Sequence, residues 1–214
     1  MKKFELTAEF VTNVFGKKLF RIKALVSFGD VSAGELGGFV EKEENLSNNG
    51  DAWVSGDAWV SGNARVSGDA WVSGNARVSG NARVSGNAQV SDNARVSGNA
   101  RVSGDARVSG DALVSDNARV SGNAWVSGDA LVSGNADFSV VTGFGRCFRA
   151  TTFFRCKDKI LRVQCGCFYG DLAKFREIVK KTHGDSKYAK EYLAIADLME
   201  LHFSDEEENQ EADK

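Results

Sequence analysis

The chain has 214 residues, no proline, 23 glycines and a formal net charge of −2. That length suits one large domain or two modest ones, and the near-neutral charge makes no general case for nucleic acid or an anionic membrane as partner. No stretch approaches the roughly 18 apolar residues of a membrane span. Met1-Lys2-Lys3-Phe4-Glu5-Leu6 has no apolar run behind its lysines, so no signal peptide is expected. All four cysteines fall between Cys147 and Cys167, and reduced thiols in a cytoplasmic protein are the expectation.

Residues 1–49 do not repeat. Leu19 to Val26 alternates as a strand does, and Gly34-Glu35-Leu36-Gly37-Gly38-Phe39-Val40 and Glu44-Asn45-Leu46-Ser47 follow it. This segment reads as a small β-rich cap leading into irregular first coils. From Gly50 to Ser139 the chain then runs through fifteen consecutive hexads of the form Gly-Asp/Asn-Ala-x-Val-Ser. Only Asp92 and Asp116 replace the leading glycine, and only Phe138 replaces the valine. Ala-x-Val alternates inward, outward, inward along a short strand, so alanine and valine line a bore too narrow for large side chains. Ser-Gly-Asp/Asn supplies the corner, because glycine tolerates positive φ and Asn or Asp does so next best. Three such faces close a triangular coil of eighteen residues. One hexad alone buries almost nothing, so stability must come from stacking, and a cap is needed where the bore opens.

Beyond Ser139 the period fails, and residues 140–203 read as a small α+β domain. Phe148 to Cys156 and Ile160 to Cys167 are expected to form a hairpin across Lys157-Asp158-Lys159. Asp171 is placed to cap a helix carrying Leu172, Phe175, Ile178 and Val179 on one face, with Gly184 at its end. A second helix carries Tyr188, Tyr192, Ile195, Leu198 and Met199 on its apolar side. Residues 204–214 form an acidic tail that is expected to be disordered.

The hexads resemble the left-handed β-helix of the hexapeptide-repeat superfamily. Phe20-Arg21-Ile22-Lys23-Ala24-Leu25, the Gly34–Val40 segment and Asn45-Leu46-Ser47 ahead of the hexads resemble a group of such proteins from bacteria, prophages and phages, many of them labelled only "polymer-forming". Cys165-Gly166-Cys167-Phe168, Thr182-His183-Gly184 and Glu191-Tyr192-Leu193 are similar to a small domain of unknown function found in the same setting. The resemblance implies a mainly β left-handed triangular β-helix and a phage or mobile-element origin, which would place the protein in the host cytoplasm. Homotrimers are common in this fold family, so self-association is implied too. The best-known enzymes on the fold are acyltransferases with a histidine on a coil as general base.

No such base is present here. The hexads contain no His, Cys, Lys, Glu or Tyr, and the two histidines are His183 and His202. Without a general base no acyl transfer is expected on the coils, and no catalytic residue or cofactor is assigned. The corner aspartates read as turn formers. Cys147, Cys156, Cys165, Cys167 and His183 do not make the two close ligand pairs usual for zinc. No metal is expected, and the thiols read as small residues of a hairpin core.

Function is therefore sought at the outward position. Eighteen-residue spacing stacks Trp53, Trp71, Gln89, Arg107 and Trp125 on a first face. It stacks Trp59, Arg77, Arg95, Leu113 and Leu131 on a second, and Arg65, Arg83, Arg101, Arg119 and Asp137 on a third. Four arginines about 4.8 Å apart repel one another unless solvent, neighbouring Asp corners, a partner carboxylate or a bound anion offsets them. Arg77 and Arg95 join them as candidate ligand-binding residues. An exposed tryptophan ladder is costly in water, so Trp53, Trp59 and Trp71 are expected under the cap or another subunit. With Trp125, Leu113 and Leu131 they are the candidate interface residues. Residues 146–181 carry ten Lys or Arg against three Asp or Glu, a patch that could meet the acidic tail; nucleic acid ranks below that. The expectation is a non-enzymatic oligomeric scaffold or binding protein. Its alternatives are a phage sponge that sequesters an anionic nucleotide signal and, least favoured, an acyltransferase.

Overall fold

The computed structural model describes residues 2–204. Three strands come first: β1 (Phe4–Thr12), β2 (Lys18–Ala24) and β3 (Leu36–Val40). Fourteen two-residue strands follow among the described residues, β4 (Trp53–Val54) to β17 (Leu131–Val132), one every six residues. They stack into three parallel sheets whose neighbours lie eighteen residues apart in the chain, such as Arg83 beside Arg101 and Gln89 beside Arg107. Each coil donates to the next: Trp53 N–H to Ala70 O at 3.0 Å, Trp71 N–H to Ala88 O at 2.9 Å, Arg107 N–H to Ala124 O at 2.8 Å. The alanines and valines of these coils, Ala52 and Val54 through Ala130 and Val132, have no solvent exposure. Two methyl-bearing columns per face thus fill the bore as the hexad pattern requires.

The two corners without glycine adopt the glycine conformation, with φ 58° at Asp92 and 52° at Asp116. At Asp92 the side chain answers for the strain, its Oδ2 accepting the Gly110 N–H one coil on at 3.0 Å.

The first coil has no coil above it, so its upward-facing carbonyls need other partners. The cap supplies one for each face. On the first, the Lys3 ammonium donates to Ala52 O at 2.8 Å and Gly50 O at 3.0 Å. On the second, Phe39 N–H donates to Ala58 O at 2.9 Å, because β3 pairs in parallel with Trp59–Val60. On the third, the buried Asn45 amide donates to Ala64 O at 2.8 Å and Gly62 O at 3.1 Å, while its Oδ1 accepts Lys42 N–H at 3.0 Å. Burial lowers the Lys3 ammonium below its ordinary value, with the Asp51 and Asp69 carboxylates opposing that shift. The Gly62 N–H holds the Glu41 carboxyl below the usual carboxylate range. Phe4, Ile22, Ala24, Val31, Val40 and Leu46 plug the open end of the bore.

The far end is closed by a four-stranded antiparallel sheet, β18 (Phe138–Val141), β19 (Thr151–Arg155), β20 (Leu161–Cys165) and β21 (Phe168–Asp171). Phe154 and Cys156 join the solenoid core, and Thr152 Oγ1 accepts the Trp125 N–H at 3.0 Å where a next coil would have done so. Helices α1 (Leu172–His183) and α2 (Lys187–His202) cover the other side of this sheet through a second core around Phe153, Phe175 and Tyr192. Asp171 caps α1, accepting Lys174 N–H at 2.8 Å, and Gly184 ends it at φ 56°. Among the described residues no helix is long and apolar enough to cross a membrane.

Several local expectations need correction. The fifteenth hexad does not form a coil strand. The Asp137 carboxylate accepts the Ser133 and Gly134 N–H groups, both at 2.8 Å, folding Asn135–Asp137 into a 3-10 turn. Phe138, too bulky for a valine's place in the bore, starts β18 instead. The expected hairpin is the centre of a sheet with an added strand at each edge. Ile178, Tyr188 and Leu198, placed on buried helical faces, are 41%, 38% and 57% exposed. The acidic tail lies outside the described residues from 205 onward.

Replacing Lys3 by Met, or Asn45 by Leu, strands buried carbonyls of the first coil. Each change is expected to cost about 1–3 kcal/mol. Calorimetry should show melting lowered by about 2–4 °C for each kcal/mol in a chain of this size. Lys2→Ala removes only the exposed pair with Glu43 and should shift melting by less than either.

Candidate functional site

The three outward columns meet very different surroundings. On the first face Trp53 is fully buried inside its own chain, its ring edge-on to Phe28 at 5.5 Å and packed against Gly37. Of the two covers expected for Trp53, the cap or another subunit, the structure shows the cap: the loop after β2 folds over it, and Trp53 is not available as an interface residue. Trp71 and Trp125 are half-buried, and their indole N–H groups donate to Ser55 and Ser109 Oγ at 3.1 and 3.5 Å. Both therefore have partners within the chain before any second subunit arrives.

On the second face the cap extends the outward column. Arg21 lies over Phe39 at 4.3 Å, Phe39 is in register with Trp59, and Arg77 lies over Trp59 at 4.6 Å. Alternating guanidinium and ring surfaces leave Trp59 half-buried. Arg95 follows, then Leu113 in register with Leu131, both half-buried.

On the third face Arg65, Arg83, Arg101 and Arg119 stand in register on successive coils and are exposed. Asp137, expected to continue the column, is instead held in the 3-10 turn. The corner ahead of these arginines is a column of asparagines. Asn63 donates to Asn81 at 3.3 Å, Asn81 to Asn99 at 3.1 Å, and Asn99 to Asn117 at 3.3 Å. Guanidiniums and amides together line a groove of about 490 Å³. At this corner the residues stacked beside the arginines are all Asn; the acid there is Asp116, in the glycine position of the Arg119 hexad, and Asp69 and Asp105 stand at the corner on the other edge of the face. Arg65, Arg83 and Arg101 form no ion pair among the described residues. At the cap end Glu43 and Glu44 border a second cavity that Arg65 and Arg83 also line.

A polar cluster unforeseen in the sequence sits where the last coil meets the C-terminal sheet. Tyr169 donates its hydroxyl to Asp129 Oδ1 at 3.2 Å, and the Cys156 sulfur lies 4.0 Å from that hydroxyl. Burial pushes the Cys156 thiol up to about 12, with the Asp129 carboxylate adding to it. Burial also raises the Tyr169 hydroxyl. Burial would raise Asp129 itself, but the Cys156 and Tyr169 hydrogen bonds outweigh it and hold the carboxyl low. Asp129, Cys156 and Asp158 gather their ligand atoms within 4.8 Å of one another. Asp158 is bound to the Arg162 guanidinium at 2.6 Å, and that charge beside a protonated thiol suits a buried hydrogen-bond junction better than a cation site. Asp129 occupies an ordinary corner position of the repeat, so nothing in its hexad marks it. Cys147, Cys165, Cys167 and His183 border a separate cavity and do not gather as metal ligands among the described residues.

A family profile described as the YdcK beta solenoid repeat matches residues 58–74, 76–92, 88–104, 100–115 and 112–128. The chain is a β-solenoid repeat protein. All five matches fall within the coils and none reaches the cap or the C-terminal domain. No curated protein matches the chain.

The cysteines of this β-solenoid should differ sharply in reactivity. The attacking species is the thiolate, and a Cys156 pKa of about 12 keeps that group protonated at pH 8. Exposed Cys147 and Cys167 should be alkylated by iodoacetamide at pH 8 while Cys156 is spared until the protein unfolds. Mass spectrometry showing native Cys156 modified as fast as Cys147 would contradict the closed junction.

Proposed function

We propose that this β-solenoid is a non-enzymatic scaffold that assembles as a homotrimer and binds an anionic partner along its third face. The supporting observation is the in-register column Arg65, Arg83, Arg101 and Arg119 beside the asparagine column. Like charges one coil apart raise the free energy of the free protein, and a ligand carrying several negative charges in line removes that repulsion. Guanidinium forks and amide N–H groups are matched donors for phosphate or carboxylate oxygens. The coils offer no histidine as general base, which weighs against acyl transfer.

The groove volume of about 490 Å³ suits a nucleotide-sized anion better than a long polymer. That supports the narrower reading, sequestration of an anionic nucleotide signal; a phage or prophage origin, and with it the host cytoplasm, rests on the resemblance of the flanking segments alone. Self-association fits the second face, where Leu113 and Leu131 are apolar neighbours. Three arginine columns brought together would place like charges in one seam.

The test pairs titration calorimetry with light scattering. A cyclic dinucleotide and inorganic polyphosphate serve as probes, at low and high salt. Arg83→Ala with Arg101→Ala should weaken binding about tenfold or more, since each charged hydrogen bond lost is worth roughly 1.5–3 kcal/mol. The assembly's mass should not change. Leu113→Glu with Leu131→Glu should lower the mass. No binding of either probe would reject the anion reading, and dissociation by the arginine changes alone would make the third face the interface.

A further inference from the structure

The C-terminal domain contains a cavity of about 270 Å³ that the solenoid reading leaves unused. Its inner wall is aromatic and apolar. Phe168 comes from β21, Phe175 and Val179 from α1, and Tyr192 from α2. Phe175 packs against Phe168 at 5.5 Å and edge-on to Tyr192 at 5.8 Å, so the rings brace one another. Arg146 and Arg149, from the connection between β18 and β19, stand at the opening.

That opening is built rather than loosely draped. Gly145 N–H donates to Glu191 Oε2 at 2.9 Å, tying the connection to α2 next to Arg146. Gly145 sits at φ 70°, where any side chain would strike the Tyr192 ring. The Arg149 guanidinium lies against Gly166, close enough that a Cβ there would come within 2.8 Å of it. Yet neither Arg146 nor Arg149 has a hydrogen bond or ion pair among the described residues. The connection thus places two guanidiniums at the rim of an apolar recess. Burial pushes the Tyr192 hydroxyl up to about 12. The bordering thiols and His183 do not gather around a common centre, and the arginines oppose a cation.

We infer that this cavity binds a small aromatic carboxylate, its ring among Phe168, Phe175 and Tyr192 and its carboxylate on Arg146 and Arg149. The volume admits one ring with a short side chain. Apolar walls with a few convergent polar groups are the usual make-up of a small-molecule site. Ring–ring contacts favour an aromatic body over an alkyl one, and the guanidinium pair selects a carboxylate over its neutral counterpart.

The test uses the full chain, with 3-phenylpropanoate as probe and its neutral amide as control, read by ligand-observed NMR and calorimetry. The carboxylate should bind and the amide should bind about tenfold more weakly or worse. Arg146→Ala with Arg149→Ala should reduce carboxylate affinity by a similar factor. Ile178→Trp, at a rim position already 41% exposed, should block the recess without disturbing the core. Arg83→Ala with Arg101→Ala should leave this binding unchanged, which separates the site from the solenoid groove. Absence of binding by 3-phenylpropanoate overturns the inference. So does equal affinity for the amide, or loss of binding in the solenoid variant. Were the double arginine variant to melt early, the amide and Ile178→Trp results decide alone.

Discussion

The peptide ladder between coils is the interaction on which the rest depends. A two-residue strand cannot hold itself; Arg101–Val102 is a strand because Arg83–Val84 lies above it and Arg119–Val120 below. Because the ladder joins residues eighteen apart, each position must suit the position eighteen away, inside and out. Inside, that favours small, shape-matched side chains, and Ala and Val fill the bore with no exposure. Outside, it turns any repeated residue into a column. Asparagine columns satisfy themselves by amide-to-amide bonds, whereas arginine columns cannot. The same rule that builds the fold therefore creates the charged groove.

A ladder also has two ends, and there the repeat carries no instructions. The first coil's carbonyls at Ala52, Ala58 and Ala64 are met by an ammonium, a strand N–H and an amide, three different groups for three equivalent positions. At the far end Thr152 takes the Trp125 N–H, and Phe154 closes the bore. Specificity in this molecule is concentrated where periodicity stops.

That division explains what could be read from the amino-acid string. The coils were legible because each hexad repeats one environment, so alternation and corner chemistry could be checked many times over. Even the non-glycine corners followed, since Asp tolerates the left-handed conformation that Asp92 and Asp116 adopt. Lys3 was illegible: its partners lie 47 and 49 residues away, and no pattern announces them. The Asp129–Tyr169–Cys156 junction was hidden for a similar reason, because Asp129 belongs to the repeat while Tyr169 lies 40 residues beyond it. For Trp53 the pattern could not choose between the cap and a second subunit as its cover, because the outward position of a hexad says nothing of a loop folding over it. Asp137 fitted the repeat by count but not by chemistry: its carboxylate captured Ser133 and Gly134 and ended the last coil.

If the ladder sets the fold and the ends alone are particular, the coils are interchangeable. Deleting Gly80–Ser97 removes one complete turn and leaves every later residue on its original face. The direct measurement is small-angle scattering of that variant. A folded particle shorter by about 4.8 Å, one strand spacing, is the predicted result. An expanded, unfolded scattering profile would contradict it, and would mean that particular coils hold the solenoid together.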